Sequence, residues 1–225
     1  MHGYLCIAAR GADIIGGISL GVSAWATDSD TGKERPVTCV NGWLNGARQV
    51  PSPNINERPD QEVSAVVLHS ISLPPGEFGG DHIEALFCNR LVPEAHPYFA
   101  KIAGLKVSAH LLIRRDGECV QFAPFEARAW HAGRSRWFDG HRMRDELNDF
   151  SIGIELEGDP STPYREAQYR RLAQVLHDLF DAYPLITPER LTSHARIAPL
   201  RKDDPGPSFD WAYLRRCLQC RESRP

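Results

Sequence analysis

The sequence feature that most constrains the fold is an apolar run over residues 63–70, which includes a histidine near its end. The run is rich in β-branched residues and almost continuously apolar, as expected for a strand buried on both faces. A second strand is predicted over 150–157, where Ile152, Ile154 and Leu156 alternate with more polar residues. Because helical patterns are interleaved with the strands, we expect an α/β fold, a mixed central sheet flanked by helices in a single domain.

Local signals predict the turns and helices around these strands. Asp116-Gly117 separates two apolar runs and favours the hairpin turn that matches the strand twist. Thr162-Pro163 predicts a helix start, with a capping hydroxyl and then a proline at the first helical position. This helix is expected to run to about Tyr183, and Ser208 or Asp210 is expected to open a last helix.

The composition is that of an ordinary soluble globular protein. The 225 residues are 42% hydrophobic and 24% charged, which is enough for one sizeable domain with its own core. The net charge of −3 gives no basic field, so nucleic acid is not expected as a partner. No apolar run is long enough to cross a bilayer, so we expect no membrane association.

The first 40 residues differ from the rest of the chain. They show little periodic pattern, so we expect residues 1–40 to be a poorly structured N-terminal extension and residues 41–225 to form the folded domain. The alternative is a secretory signal, because the apolar run 14–23 is followed by Ala24-Trp25-Ala26, a small-x-small cleavage pattern. Arg10 is the only Lys or Arg of this leading segment, which weighs against a signal.

The six cysteines are scattered through a chain too large to need disulfide bonds. We interpret them as mostly reduced thiols of a cytosolic protein. Cys217 and Cys220 form a C-x-x-C pair near the C-terminus, but no second pair accompanies it. A four-thiolate zinc site is therefore not indicated.

The segment 194–207 concentrates groups that can bind a metal ion. It holds a histidine, several basic residues and two carboxylates, and its three prolines and one glycine restrict the backbone. His194 and Asp204 are too far apart for one helical face, so this loop must fold back for both to reach one metal. His69 is the third candidate, because functional groups gather just beyond the ends of sheet strands. Two histidines and a carboxylate, with one position left for water, form a catalytic zinc shell.

Each of these residues also has an ordinary structural interpretation. The chain has nine histidines, and His69 in isolation would be a core histidine bonded to backbone. Glu155 and Glu157 share the polar side of the second strand; either could take a proton from a zinc-bound water, and both could equally face solvent. Lys202 could stabilise the oxyanion formed at an amide carbonyl, although an exposed lysine would be the default.

Taken together, these residues resemble the AmpD-type N-acetylmuramyl-L-alanine amidases, zinc enzymes whose fold is shared with peptidoglycan-recognition proteins and phage-type lysozyme amidases. The resemblance covers roughly residues 42–211. It rests on several motifs in the same order: Val67-Leu68-His69, 71–80, His96-Pro97-Tyr98-Phe99, Val107-Ser108-Ala109-His110, Ala129-Trp130-His131-Ala132-Gly133, 151–158, 194–207 and Phe209-Asp210-Trp211.

The resemblance implies a role for each candidate residue. It implies Glu155, rather than Glu157, as the general base and Lys202 as the group that stabilises the transition state. The implied zinc ligands are His69, His194 and Asp204. The implied substrate is a muropeptide that carries 1,6-anhydro-N-acetylmuramic acid, cut between the lactyl group and L-alanine during cell-wall recycling by a monomeric cytoplasmic enzyme.

The chain departs from the family at two places. Ser70 stands where these enzymes have asparagine next to the first ligand. The segment 134–147 is longer and more basic than usual, so Arg144, together with Lys106 before the hairpin, is a candidate for binding the peptide carboxylates. Solvated surface charges are the equal alternative for both.

Two other functions are compatible with the same fold. A peptidoglycan-binding receptor would lack a metal ligand or the base, whereas this chain has candidates for all of them. An exported amidase acting on the intact wall would require residues 1–40 to contain a true signal peptide.

Overall fold

The computed structural model describes residues 25–27, 34–36 and 39–220. The strands in this part of the chain are β1 (Trp25–Thr27), β2 (Glu34–Pro36), β3 (Cys39–Val40), β4 (Trp43–Leu44), β5 (Arg48–Gln49), β6 (Ile55–Glu57), β7 (Ala65–Ile71), β8 (Leu111–Ile113), β9 (Cys119–Gln121), β10 (Ala127–Ala129), β11 (Arg136–Phe138), β12 (Met143–Asp145), β13 (Ser151–Glu157) and β14 (Leu191–Ser193). The α-helices are α1 (His82–Phe87), α2 (Phe99–Ile102), α3 (Glu166–Ala182), α4 (His194–Ile197) and α5 (Trp211–Gln219). Short 3-10 helices span Pro93–Ala95, Leu147–Asp149 and Pro188–Arg190.

Six strands form the central sheet in the order β14-β7-β13-β8-β9-β5. The first four strands run parallel to one another, whereas β9 is antiparallel to β8 and parallel to β5. The predicted mixed sheet is therefore confirmed. The Asp116-Gly117 hairpin is confirmed as the connection between β8 and β9, with Gly117 at φ +92°.

The two faces of the sheet bury different layers. Leu68 and Ile154 belong to the large core cluster that includes the apolar face of α3. Val67 belongs to a cluster on the opposite face, with Trp137 and Leu147 among its members. Since successive side chains of a strand point to opposite faces, His69 and Glu155 lie on the face away from α3.

The strand register places the candidate residues in one row. Glu155 of β13 lies directly opposite His69 of β7. Ser193, the last residue of β14, lies opposite Leu68, so His194 follows at the level of His69. The carboxyl ends of three neighbouring parallel strands thus meet at one edge, where ligands bind in open α/β sheets.

The start of α3 differs from the prediction. The helix begins at Glu166 rather than near Thr162-Pro163. The side chain of Asp159 accepts hydrogen bonds from the backbone N–H and the hydroxyl of Thr162, so that hydroxyl is engaged in a turn before the helix. Gln168 closes the helix start instead, because its Oε1 accepts from the N–H of Arg165 at 3.1 Å.

The polarity of β13 was only partly predicted. The expected alternation is present, but all seven residues of the strand are buried, including both glutamates. The possibility that Glu155 and Glu157 face solvent is therefore wrong. At the last helix, Asp210 is the capping residue, since its Oδ1 accepts from the N–H of Tyr213 at 2.8 Å.

The division into an N-terminal extension and a folded domain stays a prediction. Strands β1 and β2 pair antiparallel within the segment expected to be an extension, and β1 includes Trp25 and Ala26 of the possible cleavage motif. The apolar run 14–23 and Ala24 lie outside the described residues. In the described part of the chain, no helix is long and apolar enough to cross a membrane. The five described cysteines form no disulfide bond with one another.

Candidate metal centre

Three side chains converge at the carboxyl edge of the sheet. Nδ1 of His69 lies 2.9 Å from Nδ1 of His194, and Oδ2 of Asp204 lies 3.1 Å from each of these nitrogens. Among the described residues, this is the one group of three or more His, Cys, Asp or Glu side chains placed to share a metal ion. The C-x-x-C pair is not part of such a group.

The loop after β14 folds back as its sequence requires. His194 opens the single turn of α4, which Ser193 caps by accepting the N–H of Arg196. The carbonyl of Asp204 then accepts the N–H of Ala195 at 3.0 Å, which brings the carboxylate beside His194. The prediction that both ends of the loop reach one point is confirmed, although its first residues form a helical turn rather than a loop.

The far nitrogens of both imidazoles are also engaged. Nε2 of His194 lies 3.1 Å from the carbonyl oxygen of Ala132, which can only accept, so this nitrogen carries a proton. Nε2 of His69 lies 3.0 Å from Nδ1 of His131. Each ring is thus held from behind, with its Nδ1 directed at the shared point.

Burial and mutual contact shift the pKa values of His69 and Asp204. Burial lowers the pKa of His69 to about 4, and the nearby carboxylate of Asp204, which favours the protonated ring, only partly offsets this effect. Burial alone would raise the pKa of Asp204, but the close contacts of its carboxylate with the rings of His194 and His69 hold the pKa below its ordinary value. A neutral imidazole and an ionised carboxylate are the forms that bind a metal ion.

Glu155 lies beside this cluster and is 9% exposed. Burial, reinforced by the negative charge of Asp204, raises its pKa well above the ordinary value, while the positive charge of Lys202 opposes the rise. Its Oε2 is buried and makes no hydrogen bond among the described residues. A carboxyl group with a raised pKa and an unengaged oxygen is suited to accept and return a proton.

Glu157 has a different environment on the same face. It is 2% exposed, and its carboxylate accepts the N–H of Gly79 at 2.6 Å and that of Arg115 at 3.0 Å. The guanidinium of Arg114 lies 3.8 Å away. Glu157 therefore anchors the loop that contains Gly79 and the loop that contains Arg115 to the sheet.

The other candidates lie outside the cluster. Lys202 is exposed, within electrostatic range of Glu155 and His69. Lys106 is exposed as well. Arg144 donates to both carboxylate oxygens of Glu62, at 2.7 and 2.9 Å, so its role in binding a peptide carboxylate remains a prediction.

Several residues behind the ligands were not recognised from the sequence. His131 occurs in one of the family motifs, but nothing in the sequence assigned it a contact. Asn148 accepts the backbone N–H groups of His131 and Ala132, at 3.1 and 2.8 Å. Arg201, an exposed residue, donates to the carbonyl of Ala132 at 3.0 Å. A long-range contact of this kind leaves no local pattern.

The donor set fits zinc. Two imidazole nitrogens and one carboxylate oxygen converge on a point beside a buried carboxyl group, and catalytic zinc sites use three such protein ligands with an open position. The fold and the site together define a class: α/β domains with a candidate metal centre at the carboxyl edge of a parallel strand cluster.

Comparison with known proteins identifies the family. Residues 59–207 match the family model described as N-acetylmuramoyl-L-alanine amidase. The chain is 58% identical over 175 residues to the 1,6-anhydro-N-acetylmuramyl-L-alanine amidase AmpD of Escherichia coli (strain K12), which covers 77% of this chain and 93% of that protein. The chain belongs to the N-acetylmuramoyl-L-alanine amidase family, and the AmpD-type resemblance is confirmed.

Solved structures agree with this assignment. A crystal structure of an Se-Met AmpD derivative aligns with a TM-score of 0.76 at 56% identity, over 80% of this chain and 98% of that one. The E. coli amidase AmiD, in complex with the substrate anhydro-N-acetylmuramic acid-L-Ala-D-gamma-Glu-L-Lys, aligns with a TM-score of 0.50 at 30% identity, over 69% and 57% of the two chains. The predicted fold class is confirmed by these neighbours.

Proposed function

We propose that this protein is a zinc-dependent amidase that hydrolyses the bond between 1,6-anhydro-N-acetylmuramic acid and L-alanine in muropeptides. The observation that carries the proposal is the convergence of His69, His194 and Asp204 beside the buried carboxyl group of Glu155. The AmpD relatives, named for this activity, support the choice of substrate. So does the bound substrate of AmiD.

The three ligands would hold the zinc ion through Nδ1 of His69, Nδ1 of His194 and the carboxylate of Asp204. Zinc bound there supplies Lewis-acid chemistry, which polarises a carbonyl and acidifies water. Glu155 takes the proton from the attacking water, since its carboxyl group is next to the cluster and its Oε2 is unengaged. Glu155 then returns this proton to the amide nitrogen that leaves with L-alanine.

Lys202 is an exposed residue that contributes positive charge to the site. Its ammonium group acts on the electrostatics of both Glu155 and His69, so it lies close enough to interact with charge that develops there. The tetrahedral intermediate of amide hydrolysis carries its negative charge on the former carbonyl oxygen. Lys202 therefore stabilises this oxyanion in the proposed reaction.

The cellular setting belongs to the same proposal. Release of peptide from anhydro-muropeptides is a step of cell-wall recycling, and we place it in the cytoplasm, with the protein acting as a monomer. The six cysteines, scattered through a chain too large to need disulfide bonds, are consistent with a reducing compartment.

The test combines metal analysis with product analysis. The purified protein is expected to contain one zinc ion per chain and to release free peptide from an anhydro-muropeptide, separated by chromatography. His69→Ala removes a ligand, so both zinc and peptide release are expected to be lost.

The matched control is His141→Ala, which changes an exposed histidine outside the cluster. This variant is expected to keep the zinc and the activity of the wild type. Peptide release by His69→Ala at the wild-type rate would contradict the proposed function, as would a wild-type protein that binds no zinc.

A further inference from the structure

A chain of polar contacts extends from His69 into the protein. Nε2 of His69 meets Nδ1 of His131 at 3.0 Å, and Nε2 of His131 meets the hydroxyl of Ser151 at 3.3 Å. That hydroxyl lies 2.5 Å from the carbonyl oxygen of Leu147. The whole chain is buried, with His131 8% exposed and Ser151 fully enclosed.

The last contact determines the direction of all the others. The carbonyl of Leu147 can only accept, so the single hydroxyl proton of Ser151 points to it. The Ser151 oxygen then accepts from Nε2–H of His131, which leaves Nδ1 of His131 without a proton. Nδ1 of His131 is therefore the acceptor in its contact with His69, and Nε2 of His69 is the donor. Because the neutral ring of His69 carries its proton on Nε2, its lone pair is on Nδ1.

We propose that His131 is a positioning residue that sets His69 in the tautomer required for metal binding. The inference rests on the proposed function only in taking His69 as a metal ligand. Histidines that bind metals generally donate their other N–H to an acceptor that fixes the ring orientation. Here the acceptor is Nδ1 of another histidine, His131. This nitrogen is unprotonated because Ser151 and the carbonyl of Leu147 hold the proton of His131 on Nε2.

The surrounding residues hold His131 in this position. Its backbone N–H donates to Oδ1 of Asn148 at 3.1 Å. Its ring lies against Gly153 of β13, where an added Cβ would come within 2.6 Å of Nδ1 and overlap the ring. The imidazole of His131 fits against β13 only because residue 153 has no side chain.

The same segment serves the second ligand. The carbonyl of Ala132 accepts from Nε2 of His194 at 3.1 Å, and Oδ1 of Asn148 accepts the N–H of Ala132 at 2.8 Å. Residues 131 and 132 therefore orient both imidazoles, one through a side chain and the other through the backbone.

The direct test is the tautomer of His131 in the full-length protein. Two-dimensional ¹⁵N–¹H correlation of the imidazole rings distinguishes a protonated from an unprotonated ring nitrogen. We expect His131 to carry its proton on Nε2 both without metal and with zinc bound. A proton on Nδ1 of His131 in the metal-free protein would overturn the proposal, because His131 could not then accept from His69.

Zinc affinity, measured by competition with a chromophoric chelator, separates this role from simple packing. His131→Leu fills most of the space but offers no acceptor, so the affinity is expected to fall roughly 10- to 100-fold. His131→Asn places its Oδ1 near the position of Nδ1 and is expected to recover most of that loss. Equal affinity in the wild type and His131→Leu would overturn the proposal.

These readouts do not depend on the reaction. A protein that binds zinc with the expected tautomer but releases no peptide would contradict the proposed function and leave the positioning role intact. If His131→Leu does not fold, the tautomer of His131 measured in the wild-type protein is sufficient to support or overturn the proposal.

Discussion

Replacing Glu155 with glutamine is expected to abolish activity and also to stabilise the metal-free protein. The carboxyl group is buried and its pKa is raised, so the folded state resists ionisation. Above about pH 4.5 the unfolded chain loses this proton more readily than the folded chain, and stability falls as the pH rises. Glutamine is nearly isosteric and cannot ionise, so the variant escapes this loss.

The loss of activity follows from the two proton transfers assigned to Glu155. General acid–base catalysis contributes about 10²- to 10⁴-fold, which corresponds to about 3 to 5 kcal/mol of transition-state stabilisation. Glutamine can neither take the proton from water nor return it to the leaving nitrogen. We therefore expect kcat to fall by at least about 100-fold, with little change in substrate affinity.

Glu157→Gln is the matched control, because it makes the same substitution on the same face of β13. Glu157 accepts two backbone N–H groups at 2.6 and 3.0 Å, and the loss of a charged acceptor costs about 1.5 to 3 kcal/mol per hydrogen bond. Glutamine keeps one oxygen, so a destabilisation of about 1 to 3 kcal/mol is expected. The two variants should thus shift stability in opposite directions.

The assay is urea unfolding of the metal-free proteins at about pH 5 and about pH 7.5, alongside peptide release by the zinc-loaded proteins. The advantage of Glu155→Gln over the wild type should be larger at the higher pH. A variant that is less stable than the wild type at both pH values would refute the account of Glu155 as a buried acid with a raised pKa. Retained activity would refute its role as the base.

Three further predictions concern other parts of the molecule. Lys202→Met should lower kcat about 10²- to 10³-fold in steady-state assays while the zinc content stays unchanged, and an unaltered kcat would remove Lys202 from the mechanism. The metal-free protein should lose stability in urea titrations as the pH falls from about 6.5 towards 4, because His69 and His110, with folded pKa values of about 4 and about 3, take up protons only on unfolding. Stability that does not change with pH over this range would contradict the burial of these two residues as neutral rings. Gly117→Ala should lower the free energy of unfolding by about 1 kcal/mol or more, because φ is +92° and the new Cβ would lie 3.2 Å from the Ala167 carbonyl oxygen. The control Gly104→Ala, where the new Cβ would meet no atom, should have little effect, and equal stability of the two variants would argue against the hairpin turn.

Much of the fold could be predicted because its signals are local. The apolar pattern of β7 and β13 and the Asp-Gly turn each depend on a few consecutive residues. The start of α3 was predicted too early because the Thr162 hydroxyl can either cap a helix or hydrogen-bond within a turn. A neighbouring carboxylate, Asp159, engaged it in a turn before it could cap a helix.

The candidate site was predictable to the extent that its ligands lie at strand ends. His69 closes a strongly apolar strand, and His194 and Asp204 share one short loop. The placement of Glu155 beside His69 depends on strand register, a long-range pairing that no local pattern specifies. The family resemblance, rather than periodicity, distinguished Glu155 from Glu157.

The residues behind the ligands were beyond sequence reasoning for a physical reason. His131 is one of nine histidines, and its contacts join positions 62 residues apart in the chain. Gly153 looks like a weak strand residue until the ring of His131 is seen against it. Such contacts follow from packing, which the strand and helix patterns do not encode.

The most direct test of the central claim is peptide release from an anhydro-muropeptide before chelation, after chelation and after zinc is restored. We expect free peptide from the native protein, none after the chelator has removed the metal, and recovery when one equivalent of zinc is added. Undiminished cleavage by a protein shown to be free of metal would contradict the assignment of His69, His194 and Asp204 as the ligands of a catalytic zinc ion.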